Sequence, residues 1–250
     1  MKRIVVFVLA ALLSFTLFAQ AVPEKQESTV VASTAWTAAF ADIAGVDNVD
    51  FIAPATMTHP PEYEITVGDV QKINNAEYFL YAGYEVMMKS MGTTIKKDES
   101  ALIHIQTNNS IENVRTQSAK LAAIFGTEAE NKVRFATYEE GILDGKKQVA
   151  AKGLDKLNVY CHAMQVYLAK DLGLNVVGTF GPAPLTAAQL AEIAKGEIDI
   201  IIDNIHNPVA PPALEVSPKS RIVTWRNLPA RGGRGTLEEM VRSNIAELLK

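Results

Sequence analysis

Residues 49–85 read VDFIAPATMTHPPEYEITVGDVQKINNAEYFLYAGYE. The stretch opens on an apolar extended run that leads to His59. A Pro60-Pro61 turn follows, and Thr66-Val67-Gly68-Asp69 then has the form of a helix start. The threonine hydroxyl can accept a free backbone N–H, and the acid three residues on suits the positive end of the helix. A second apolar run begins at Tyr78 and ends at Tyr81. Strand, loop, short helix and strand make the repeating unit of a parallel α/β sheet. In such sheets ligands bind beyond the carboxyl ends of the strands, which is where His59 falls.

The same arrangement recurs on both sides of this stretch. Residues 100–105 close on His104, 157–161 run into His162, and 198–205 run into His206; the chain has four histidines, and each closes a strand-like run. Before the central unit, residues 29–33 read as a strand and 35–44 as a helix stopped by Gly45. After it, Asn109 and Glu112 bracket a helix start. Ile111, Val114, Leu121 and Ile124 give that helix an apolar face, and Gly126 ends it.

Residues 128–152 form the longest polar helical pattern. Val133, Tyr138, Ile142 and Val149 recur at helical spacing, while Gly141 and Gly145 weaken it. After Gly153 the first pattern starts again. Strands are expected at 157–160, 175–178, 198–202 and 221–224. Helices are expected at 164–172, from the Thr186-x-x-Gln189 box to about Lys195, and from a Thr236-x-x-Glu239 box to the end. The fold class is therefore α/β: two Rossmann-like lobes with mostly parallel sheets, joined by a long helix, with a ligand cleft between them. The expected boundaries are an N-terminal lobe at 29–127, a linking helix at 128–153 and a C-terminal lobe at 154–250.

Composition narrows the function. The chain has 250 residues and a net charge of −4, with acids and bases mixed. No basic block points to nucleic acid. Lys2 and Arg3 precede an apolar run at 4–18, followed by Ala19-Gln20-Ala21. This is the form of a secretory signal peptide cleaved after Ala21, and the run is short for a membrane span. Residues 22–28 read as a tether, without a cysteine for lipid attachment. Export to the periplasm as a soluble protein is the expectation. Cys161 is the single cysteine, so no intrachain disulfide framework exists.

Four histidines at four strand ends suggest a transition-metal site made of His59, His104, His162 and His206. Four neutral imidazoles arranged tetrahedrally suit Zn2+. The plainer alternative for each is a solvated or hydrogen-bonded loop histidine. Alternation points Cys161 away from His162 and toward apolar packing. Trp36 and Tyr63 either line the cleft or pack in the core. Arg231-Gly232-Gly233-Arg234-Gly235 reads as a flexible loop before a helix, and neither it nor 178–181 follows a nucleotide-binding glycine pattern.

Three segments carry a resemblance. They are His59-Pro60-Pro61-Glu62-Tyr63-Glu64 with the Thr66-Val67-Gly68-Asp69 helix start, His104-Ile105-Gln106-Thr107-Asn108-Asn109, and residues 162–174, HAMQVYLAKDLGL. Together they resemble the zinc/manganese-binding proteins of bacterial ABC importers, the cluster A-I substrate-binding family. Members carry a Pro-His-x-Tyr-Glu loop before a Thr-Pro-Ser-Asp helix, a His-Val-Trp-x-Asp-Pro segment, and a His-x-x-x-x-Tyr-Phe-Ala-x-x-Tyr-Gly-Leu run. The third match is in register; in the first, the histidine lies two residues early. Residues 236–244 also resemble the family's last helix.

The resemblance implies a monomeric exported binding protein that takes Zn2+, or less readily Mn2+, and delivers it to an ABC permease in the inner membrane. His59, His104 and His162 correspond to family ligands. The family's acidic fourth ligand sits in a late Leu-Asp-Pro turn, but Trp225-Arg226-Asn227-Leu228-Pro229 has no acid, and a guanidinium repels a cation. His206 is the expected replacement and Asp203 the fallback. Loss of the acid favours Zn2+ over oxygen-preferring Mn2+. Four protein ligands leave no position for a reactive water, so no enzyme activity is expected. Two alternatives stay open. The cleft could hold a non-metal ligand or a metal chelate, with the region from Arg226 to Arg234 involved. Less favoured is a zinc-dependent hydrolase with three histidines and Glu62 or Glu64 as base, for which no HExxH pairing exists.

Overall fold

The computed structural model describes residues 29–250; the expected signal peptide at 1–21 and tether at 22–28 lie outside the described residues. The first half runs β1 (Val30–Ala32), α1 (Ala35–Ile43), β2 (Asp50–Phe51), α2 (Val67–Asn75), β3 (Tyr78–Tyr81), β4 (Leu102–His104) and α3 (Ile111–Phe125). The 24-residue α4 (Glu128–Ala151) follows. The second half runs β5 (Asn158–His162), α5 (Val166–Asp171), β6 (Asn175–Phe180), α6 (Ala187–Lys195), β7 (Ile200–Asn204), α7 (Ala213–Val216), β8 (Arg221–Trp225) and α8 (Thr236–Leu248).

Helix starts follow local chemistry in most places. Thr66 and Asp69 form the capping box of α2, and Thr186 and Gln189 that of α6. The start of α3 differs: Ser110, not Asn109, accepts the Asn113 N–H, which frees Asn109 for another role. The last helix differs too. Gly235, at φ 71°, precedes α8, and Thr236 is its first helical residue. The Thr236 hydroxyl donates to the Gly233 carbonyl at 3.1 Å and does not cap the helix.

Among the described residues two four-stranded sheets form, in the orders β2-β1-β3-β4 and β6-β5-β7-β8, and all their strand pairs are parallel. In each sheet the connections run to opposite sides of the first strand, β1 or β5. That reversal opens a crevice at the carboxyl edge. β2 has two residues, and the apolar run that leads to His59 continues from it into the proline-rich loop. β5 extends one step past Cys161, so His162 lies within the sheet and pairs with Phe180.

The main core crosses both halves. Phe40 of α1, Leu121 of α3, Tyr138, Ile142 and Val149 of α4, and Leu237, Val241 and Ile245 of α8 belong to one buried cluster. The two glycines that weaken the α4 pattern permit this packing. A Cβ at Gly145 would stand 2.7 Å from Ile245 Cδ1 and 3.0 Å from Leu172 Cδ2, and one at Gly141 would stand 3.2 Å from the Arg242 guanidinium carbon. The long helix is thus not a free connector; both lobes rest on it. Arg134 of α4 reinforces this by binding Asp42 of α1 at 2.8 Å, while Asp42 also accepts the Gly235 N–H at 2.6 Å.

Candidate functional site

The carboxyl edges of the two sheets meet across a cleft of about 490 Å3. One wall comes from the first half, with Trp36, the loop from Thr58 to Glu62, Tyr84 and Thr107. The other comes from the second, with Met164, Tyr167, Asn204, His206 and Leu228. Trp36 therefore lines the cleft. Tyr63 does not: it donates to Asp69 at 3.0 Å and packs against the outer core of its lobe.

His206 is the best-defined polar group in the cleft. It is 7% exposed, and its Nδ1 lies 2.8 Å from the Thr58 carbonyl of the opposite wall. A carbonyl only accepts, so Nδ1 carries the proton and Nε2 of the neutral ring presents a lone pair. That Nε2 is buried and has no partner. Burial holds the ring below the usual histidine range; the Thr58 bond opposes this, and the charges of Arg226 and His59 add to it. A neutral imidazole with its far nitrogen fixed by a backbone carbonyl is the arrangement found in metal-binding histidines.

His59 lines the same cleft and is exposed. It precedes the Pro60–Glu62 turn, and its carbonyl accepts the Glu62 N–H at 3.0 Å. The other two histidines are held elsewhere. His104 ends β4 with Nε2 3.0 Å from the Ala82 carbonyl and its ring edge-on to Tyr81. His162 is fully buried, its ring edge-on to Phe180 at 5.5 Å. Its Nδ1 accepts the Met164 N–H at 3.2 Å, and its Nε2 lies 3.5 Å from Asn207 Oδ1. Gly181, at φ 77°, sits against this ring, leaving no room for a side chain. Among the described residues, no three His, Cys, Asp or Glu side chains form a group that could hold a metal ion.

The other candidates have other duties. Asp203 accepts the N–H groups of Asn204 (2.9 Å), Val209 (3.3 Å) and Ala210 (3.0 Å), so its carboxylate ties down the loop after β7. Cys161 is buried, and burial pushes its thiol up, away from ligation. Gly232 packs against the Phe51 ring, so the glycine-rich loop serves the contact between lobes. Sequence reasoning missed Asn109. Its side chain accepts from Trp36 Nε1 at 2.9 Å and donates to the Asn227 carbonyl at 2.8 Å, and its own carbonyl accepts from Tyr138 Oη at 2.7 Å. The sequence puts it near a helix start and at the end of the His104–Asn109 segment but does not show its partners, which lie up to 118 positions away.

Known structures share this architecture. The laminin-binding protein Lmb of Streptococcus agalactiae, a bifunctional protein with adhesin and metal-transporting activity, superimposes with a TM-score of 0.67 at 18% identity. The match covers 88% of this chain and 97% of that one. SBP FpvC from Pseudomonas aeruginosa, in complex with Mn2+, gives 0.66 at 16% identity over 89% and 97%. The chain has the fold of these metal-binding proteins. The Mn-bound periplasmic metal binding protein from Candidatus Liberibacter asiaticus matches at 0.60 and 15% over 88% and 97%. No family model matches the chain, and no curated protein matches its sequence. The shared fold is the two-sheet α/β architecture described above. Among the described residues, no helix is long and apolar enough to cross a membrane.

Proposed function

We propose that this chain is an exported solute-binding protein of the cluster A-I kind. It captures a divalent transition metal in the cleft between its lobes and passes it to an ABC permease of the inner membrane. The observation that carries this reading is the buried His206 Nε2, unpartnered, with the ring oriented across the cleft by the Thr58 carbonyl. A lone pair withheld from water and from protein donors is costly unless a ligand uses it. His59 is the second donor that the cleft presents. His104 and His162 join the set only by giving up the bonds that now hold them to Ala82 and near Asn207.

A donor set led by imidazoles favours Zn2+ over Mn2+. The protein acts as a monomer in the periplasm, and its role is capture and release; no catalytic step is proposed. Because α4 is packed into both lobes, closure around the ion is modest. The test is calorimetric titration of chelator-stripped protein with Zn2+, Mn2+ and other divalent ions, with metal analysis. One tightly held Zn2+ per chain is expected, and single His→Ala changes at 59, 104, 162 and 206 identify the donors. Failure to bind any divalent ion overturns the reading.

A further inference from the structure

We propose that the cargo enters this cleft as a metal already held by a small anionic organic chelator, and that His206 and His59 fill coordination positions the chelator leaves open. The inference rests on the metal-capture reading above and names the form in which the metal arrives.

Four features of the cleft lead to it. The first is donor count. A divalent transition metal takes four or more donors, but the described residues offer no group of three suitable side chains. The two imidazoles on the cleft walls are half of a tetrahedral shell, and the Glu62 carboxylate, which also lines the cleft, does not group with them. The second is size. About 490 Å3 is the volume of a small-molecule site, far more than one ion needs with donors at roughly 2 Å.

The third is the character of the wall. Tyr84, Met164 and Tyr167 are 53%, 42% and 44% exposed, and all three line the cleft. Trp36 and Leu228 continue the surface inward. A bare ion makes no use of such a surface, whereas the flat or aliphatic body of a chelator covers it and gains from leaving water. Asn227 adds a polar anchor: its Oδ1 is buried and unpartnered, an acceptor for an N–H or O–H of the ligand. The fourth is charge. Arg226 directly precedes the cleft-lining Asn227, and Glu62 lies on the opposite wall, so both signs of charge stand at the cleft. A metal chelate, with carboxylates or phenolates to meet the guanidinium and a cationic centre to meet the acid, complements both.

The test uses metal-stripped protein and defined probes: Zn2+ alone, and preformed 1:1 complexes of Zn2+ with nitrilotriacetate, citrate, histidine or 8-hydroxyquinoline-5-sulfonate. The last is bidentate, flat and anionic, and it leaves two tetrahedral positions for imidazoles. At least one complex is expected to bind ten-fold or more tightly than Zn2+ alone, with chelator and metal co-eluting one to one with the protein after desalting. Tyr167→Ala, at an exposed position, should lower affinity for that complex about ten-fold more than affinity for the bare ion. If Zn2+ alone binds and every chelator merely competes it away, the inference is overturned while metal capture stands. If neither the ion nor any complex binds, the metal-capture reading itself fails. If the chelators bind equally well without metal, both fail and the cargo is an organic anion.

Discussion

The Asn109 side chain donates to the carbonyl of the cleft-lining Asn227 at 2.8 Å. The same amide accepts from the Trp36 indole at 2.9 Å, and the Asn109 carbonyl accepts from Tyr138 of the linking helix at 2.7 Å. One residue therefore joins an element of each lobe to the helix between them. Asn109→Ala leaves the Trp36 N–H and the Asn227 carbonyl without partners in a buried setting. An unpaired buried group costs about 1–3 kcal/mol, so a loss of roughly 2–4 kcal/mol is expected in urea unfolding. A change below about 0.5 kcal/mol would show that the bridge is not a stabilising contact.

Gly145→Ala sets helix propensity against packing. Alanine favours a helix interior by about 1 kcal/mol, but its Cβ would meet Ile245 Cδ1 at 2.7 Å. Overpacking costs about 1–3 kcal/mol. A lower thermal midpoint is expected, and a higher one would mean that α8 moves aside freely.

His206→Ala removes the unpartnered Nε2 of the cleft. Zn2+ affinity, measured by competition with a chelating dye, is expected to fall at least 100-fold. Unchanged affinity would dismiss His206 as a donor and direct attention to His104 and His162.

Burial holds the Asp171 carboxyl above the usual carboxylate range, outweighing the bond it accepts from the Ile111 N–H at 2.7 Å and the charge of Lys146. A raised pKa means that the folded chain keeps this proton to a higher pH than the unfolded chain. The stability it contributes is therefore fully present below its unfolded value of about 4 and is lost as pH rises through its folded value. Relative to the parent, Asp171→Asn should gain stability in urea unfolding as pH rises through the window above about 4. A relative loss over that window would reverse the sign of the shift.

Zn2+-loaded and stripped protein should differ little in radius of gyration by small-angle scattering, because α4 packs into both lobes. A large change would require the α4–α8 contact to open.

Much of this molecule is legible without coordinates because local rules govern it. The Thr66 and Thr186 boxes, the β3 span and the 24-residue helix follow from spacing and capping chemistry within a few residues. Thr236 misled because Gly235, free to adopt φ 71°, places the helix start one residue earlier. The bridging role of Asn109 is not legible, since nothing near it in the chain announces Trp36 or Asn227 as its partners.

The amino-acid order by itself determined the alternation of strand and helix, and hence two parallel sheets whose carboxyl edges carry the histidines. Backbone propensity and apolar periodicity act over short range, and a single strand–helix–strand unit already encodes them. Only the tertiary structure decided what each histidine faces. It turned His104 to the Ala82 carbonyl, buried His162 against Phe180, and left His206 Nε2 bare across from Thr58, 148 positions away. Strand position brings a side chain to the edge. The lone pair it offers there depends on hydrogen-bond partners supplied by distant segments.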